Sequence, residues 1–124
     1  MNSIKVPDFE FLPPRGYTWL IEHDLMGFAE FSGLQPWHYL PAEHVFSVND
    51  GWPDGPSNAK LTAFAKRQDS DDLACFAIDQ ERVSVVVIHG WTGTGYEIVA
   101  KFETFWDWVK SVIDDIAKWC ERGD

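Results

Sequence analysis

The chain has 124 residues, enough for one core that buries roughly two thirds of the unfolded surface, and dividing it would leave each half without one; residues 1–124 are therefore read as a single domain. Apolar residues make up 45% and aromatic residues 15% of the chain, seven of them Trp, which excludes a disordered or fibrous class. Twenty acidic side chains against ten basic ones give a formal charge of −10, a sign that repels phosphate backbones, so nucleic-acid binding is not expected and a basic protein is the partner such a field would steer inward. The plainer account is that acidity aids solubility.

The first stretch, MNSIKVPDFEFLPP, carries prolines and carboxylates and no apolar run long enough for a signal-peptide core or a membrane span, so a soluble, cytoplasmic protein is expected. Prolines at 7, 13, 14, 36, 41, 53 and 56 interrupt any regular period in the first sixty residues and predict short elements there. Tyr17 to Leu25 fits about two helical turns, with Trp19, Leu20 and His23 within helical reach of one another; a strand is the alternative. In LQPWHYL, Pro36 and Pro41 bracket Trp37, His38 and Tyr39, read as packing that ties this half to a sheet. NDGWPDGPSN, Asn49 to Asn58, places turn signal after turn signal and predicts an exposed loop and internal hinge. Trp52 lies within it, either as an exposed anchor or, the preferred reading, folded back on the core.

The second half is regular. Lys60 to Arg67, Leu73 to Asp79, Val83 to His89 and Tyr96 to Lys101 are strand-length segments separated by turns at Gln68 to Asp71, Gln80 to Glu81 and Gly90 to Gly95, the pattern of an antiparallel meander. Leu73 to Ile78 and Val85 to Ile88 are apolar on both alternating faces, as central strands covered on both sides would be. From about Phe102 to Cys120 apolar residues recur at three- and four-residue spacing, including Phe105, Trp106, Val109, Val112, Ile113 and Ile116, and predict an amphipathic helix. Trp108 and Trp119 fall at the edge of that apolar arc, where packing at the core margin competes with half-exposed rings covered by a second copy in a homodimer. Gly123 is placed to end the helix.

No cofactor or metal is expected, and no catalytic residue is assigned. GWTGTG, Gly90 to Gly95, fits no phosphate-cradling spacing and is followed by a strand, so a hairpin loop accounts for it better. Asp69, Asp71 and Asp72 lack the further oxygens, central Gly and distal Glu of a Ca²⁺ loop and read as a polar turn. Four His residues, at 23, 38, 44 and 89, have no zinc spacing. Cys75 and Cys120 are read as buried thiols. A Cys75–His89 pair across adjacent strands is conceivable, but Cys75 sits in an apolar run where a reactive thiolate is disfavoured.

The stretches FAKRQDSDDLACFAID, VVVIHGWTGTGYE and KFETFWDW resemble the SMI1/KNR4 family, also called the SUKH superfamily, over roughly Leu34 to Trp119. The N-terminal half departs from the family pattern: only LPPRGYTWL, Leu12 to Leu20, stands for its opening stretch, and Asp71 and Asp72 stand where Gly-Asp is usual. The resemblance implies an α+β fold of SMI1/KNR4 type, a mostly antiparallel sheet of about four to six strands packed against helices including a C-terminal amphipathic one. It also implies a non-enzymatic immunity protein that binds and neutralises a bacterial polymorphic or contact-dependent toxin, such as a basic nuclease; the alternative is an intracellular regulatory or adaptor domain with no toxin. The family lends no catalytic residues. The partner contacts expected here are the acidic turn residues Asp69, Asp71, Asp72 and Glu81 and the aromatics Trp52 and Trp91.

Overall fold

A computed structural model describes residues 9, 11–28, 36–51, 59–68, 70–80, 82–92 and 95–122. Their elements follow in the order α1 (Arg15–Glu22), β1 (Trp37–Tyr39), a single 3-10 turn (Ala42–His44), β2 (Phe46–Ser47), α2 (Val48–Gly51), β3 (Lys60–Arg67), β4 (Asp72–Asp79), β5 (Arg82–Thr92), β6 (Gly95–Phe102) and α3 (Phe105–Arg122). The strands form one six-stranded antiparallel sheet in the order β1-β3-β4-β5-β6, with β2 also on β3. This is the α+β class that the sequence pattern predicts. All four long strands and the C-terminal helix fall where expected, with shifted ends.

The shifts have local causes. Helix α1 stops before Leu25 because the chain turns back at Asp24, whose φ of 57° permits the Asp24 N–H to Ile21 carbonyl bond (3.1 Å) and the Leu25 N–H to Leu20 carbonyl bond (2.9 Å). That pair of bonds is the Schellman arrangement. Helix α3 starts three residues later than expected because Thr104 caps it: the Asp107 N–H donates to Thr104 Oγ1 at 3.1 Å. Phe102 stays in β6 opposite Val85. Strand β5 runs on to Thr92, which pairs with Gly95, so strand pairing extends into the hairpin loop expected over Gly90 to Gly95. At the other end Asp79 pairs with Arg82, and Gln80 adopts φ 59° in the tight turn between them.

The proline-bracketed Trp37, His38 and Tyr39 form a short strand rather than packing alone. They pair with Arg67, Lys66 and Ala65 at the outer edge of β3. Asn49, expected in an exposed loop, is half-buried in α2: its side chain accepts from the Leu61 N–H (2.7 Å) and donates to the Ala59 carbonyl (3.2 Å), fixing the entry to β3. Residues 52–58 of the expected loop lie outside the described residues, as does Gly123.

The sheet is covered on both faces, as the two-sided apolar pattern of β4 and β5 requires. Beneath α1 and α3 lie Tyr17, Tyr39, Phe64, Phe76, Phe105, Trp108 and Val112; on the other face Leu61, Ala63, Leu73, Cys75, Val86 and Ile88 pack under Leu40 and Val48. Burial of Phe105, Val109 and Val112 contributes about 1.5–3 kcal/mol for each side chain before the entropy of ordering is set against it.

The buried arc of α3 is rotated from the expected one. Its inward line is Phe105, Trp108, Val109 and Val112, whereas Trp106 is 47% and Ile113 56% exposed. Trp108, at 0% exposure, is fully in the core, edge-on to Trp37 and Phe64 with ring centroids 5.5 and 5.1 Å away. It is therefore not available to a second copy. Asp115, on the same side of the helix, makes the rotation tolerable because it accepts from Trp37 Nε1 (3.0 Å) and pairs with Arg67 (3.4 Å). The rotation also leaves Cys120 exposed, where a buried thiol was expected.

Candidate partner-binding site

The end of the sheet where β3 passes to β4 and β5 to β6 gathers several of the expected contact residues. Asp71 is exposed in the β3–β4 turn and Asp72 opens β4. His89 is Asp72's partner in the β4–β5 register, and Glu97 is His89's partner in the β5–β6 register, so the three sit in one row across three strands. Opposed residues in a ladder point to the same face, here the α3 side, because His89 alternates with Val85 and Val87 of the aromatic core.

His89 donates from Nδ1 to Asp72 Oδ1 at 2.8 Å. That hydrogen bond raises the imidazole pKa above its ordinary 6.5; desolvation opposes it, and the negative charges of Asp72, Asp71 and Glu97 add to the rise. The turn before the row is not bare negative charge. Lys66 donates from Nζ to the carbonyls of Arg67 (3.2 Å) and Ser70 (3.0 Å), and the Asp72 N–H reaches Ser70 Oγ at 3.3 Å, so an ammonium and a hydroxyl fix the turn from within.

The expected contacts do not all converge. Gln80 and Arg82, which flank Glu81, lie at the far end of the eight-residue β4, roughly 25 Å from Asp72. Asp69, Glu81 and Trp52 themselves fall outside the described residues. Trp91 belongs to β5 two residues beyond His89, at the acidic end, but its side chain lies outside the description.

Cys75 and His89 do not meet. Cys75 pairs with Val86 and is sealed in the core layer on the face away from α3, where burial pushes its thiol pKa up. The His–Asp pair thus resembles the orienting half of a nucleophilic triad, but Cys75 cannot supply its nucleophile. Among the described residues, no group of three His, Cys, Asp or Glu side chains is gathered to hold a metal ion, and no helix is long and apolar enough to cross a membrane. A cleft of about 260 Å³ opens between Phe9, Phe11, Phe46, Asp50, Lys60 and Thr62, below the roughly 300–1,000 Å³ of ordinary ligand pockets.

The sequence reading missed a second surface, an aromatic ridge where α1 meets α3. Trp19 (43% exposed) stacks on His23 at 3.9 Å and meets Trp106 edge-on at 6.2 Å. The available signal was the seven-residue spacing of Trp106 and Ile113, which repeats one helix flank with a drift of only about 20°; their apolar character placed them in the core instead. Comparison with protein-family models, with curated proteins and with solved structures gave no match to this chain.

Proposed function

We propose that this chain is a non-enzymatic protein-binding domain of SMI1/KNR4 type, an immunity protein that neutralises a basic bacterial toxin by covering its active cleft. The observation that carries the reading is the charge of −10 on a domain of only 124 residues, which favours fast, salt-sensitive association with a cationic partner. The acidic row at the sheet end, with Asp71 exposed beside Asp72 and Glu97, supports it, because charges at a turn reach a partner with little reorganisation. So does the α+β architecture, which is the one that the resemblance implies.

The test is a titration of the purified chain against a catalytically inactivated, basic nuclease toxin domain encoded beside its gene, at low and high salt. Tight binding that weakens steeply with salt is expected, and Asp71→Lys should slow association and reduce its salt dependence. Absence of binding to the folded toxin domain would overturn the immunity reading in favour of a regulatory adaptor without a toxin partner.

A further inference from the structure

We propose that the cleft of about 260 Å³ at the entry to β3 is a binding site for a small zwitterion with an apolar side chain, the chemistry of a free α-amino acid with a large apolar group. The inference concerns a small-molecule site and does not depend on the binder reading above. The cleft lies at the end of the sheet opposite the acidic row: Lys60 pairs with Ile78, six residues along β4 from Asp72, roughly 20 Å away.

The sheet builds the floor. Lys60 and Thr62 alternate along β3 with Leu61 and Ala63 of the aliphatic layer, so they face the side of α1 and α3. Ser47 is Thr62's partner in the β2–β3 register and faces the same way. Phe9 and Phe11, with ring centroids 5.1 Å apart, supply an aromatic wall; each meets Phe76, the β4 partner of Thr62, edge-on at 5.5 and 5.6 Å. Asp50 joins the lining from α2. Its neighbour Asn49 is bonded to both the Leu61 N–H and the Ala59 carbonyl, which ties this part of α2 to β3 before any ligand arrives. A site held in this way loses little entropy on binding.

The two charges in the lining select the ligand. A lone cation drawn to Asp50 meets the Lys60 ammonium in the same cleft, and a lone anion drawn to Lys60 meets the Asp50 carboxylate. A molecule that carries an ammonium and a carboxylate on one carbon gains from both. The Lys60 ammonium has three N–H donors to share between a ligand and its other contacts, and the hydroxyls of Ser47 and Thr62 can donate or accept beside it. Phe9 and Phe11 leave an aromatic surface for an apolar side chain. The volume is below that of pockets for drug-sized ligands, which suits a single amino acid. Asp50 and Lys60 are both exposed, so their attraction acts through solvent and a Kd on the order of 1 mM is expected.

The test uses the full chain with L-phenylalanine as the probe. Phenethylamine, which lacks the carboxylate, hydrocinnamate, which lacks the ammonium, and glycine, which lacks the side chain, serve as comparisons. Binding is read from backbone amide resonances. L-phenylalanine should shift those of Asp50, Lys60 and Thr62 saturably and leave those of Asp72 and Glu97 in place, and each comparison compound should bind at least tenfold more weakly. Asp50→Asn and Lys60→Met, both at exposed positions, should each weaken binding at least fivefold, while unchanged resonances in β4 and β5 report an intact fold. The proposal is overturned if L-phenylalanine gives no saturable shift at the cleft up to about 20 mM, or if both charge variants keep the wild-type affinity. Equal binding of phenethylamine or hydrocinnamate would also overturn it, because one charge would then suffice, and equal binding of glycine would remove the aromatic wall from the site. The toxin titration judges the immunity reading independently of all these outcomes.

Discussion

The layer beneath α1 and α3 is dominated by rings, while the layer on the opposite face of the sheet is mainly aliphatic, with Tyr96 as a buried ring at its margin. Strand β4 supplies both: Phe76 enters the first, and its neighbours Cys75 and Ala77 enter the second. An α-helix is about 10–12 Å across with its side chains, and the space under two of them reaches close-packed density only with large groups. Phe76 accordingly stacks on Phe64 at 4.0 Å and 11°, with Tyr17, Phe9 and Phe11 edge-on around it. The opposite face is roofed by the segment around Leu40, Phe46 and Val48, whose strand β2 is hydrogen-bonded to the sheet edge itself, so small side chains suffice there. Stability is thus expected to be lopsided across a sheet that is buried on both sides.

Truncation on the two faces tests this most severely. Phe76→Ala should cost about 3–5 kcal/mol, a large share of the roughly 5–15 kcal/mol that holds a domain of this kind together. Cys75→Ala, one residue away and equally buried, should cost about 1 kcal/mol, on the scale of a single buried group. Urea denaturation of the two variants decides the matter: comparable losses would mean that the aromatic layer holds no special share of the stability.

The next effect sits at the top of the aromatic layer, where α1 crosses α3 at Gly16. Placing Ala in a helix instead of Gly ordinarily gains up to about 1 kcal/mol. Here the new methyl would meet Phe105 Cδ2 at 2.6 Å, and Phe105 is itself buried in the core, so overpacking of about 1–3 kcal/mol should win. Gly16→Ala is therefore expected to lower the midpoint of unfolding, and a rise would show that α1 can lift off α3 without loss.

The four long strands were legible because each carries a period-2 or continuous apolar signal between polar turns, and α3 because its three- and four-residue spacings persist over five turns. Strands β1 and β2 were not. Two or three residues carry no period, and what makes Trp37–Tyr39 and Phe46–Ser47 strands is the open edge of β3, a partner fifteen or more residues away. The rotation of α3 was hidden for a related reason. Trp108 and Ile113 are both apolar, and the choice between them follows from where Trp37 and Arg67 receive Asp115. The Thr104 cap, by contrast, stands in plain sequence as Thr-x-x-Asp before the helix. Of the candidate site, the acidity of the turn at Asp71 and Asp72 was legible, while the pairing of Asp72 with His89 required a register that only the folded sheet supplies.

That pairing marks where the ring layer gives out, and it should make the smallest but most specific difference between the faces. On the α3 side the strand row beyond Val87 is polar and open, with His89 41% and Asp72 24% exposed. The folded state raises the His89 pKa above 6.5, chiefly through the hydrogen bond to Asp72, so it holds the proton more tightly than the unfolded chain does. Below about pH 6.5 both states carry that proton and the pair's contribution is complete; as pH rises through the folded-state value the contribution is lost. Stability should therefore fall as pH rises from about 6.5 through the raised folded-state value. Relief of the chain's overall negative charge at low pH acts in the same direction, so the informative quantity is the difference between the wild type and Asp72→Asn. The variant should show a shallower decline in urea midpoint over that range, and the His89 ring protons should titrate nearer pH 6.5. Parallel pH profiles for the two proteins would mean that the Asp72–His89 hydrogen bond does not hold the open end of the sheet in solution.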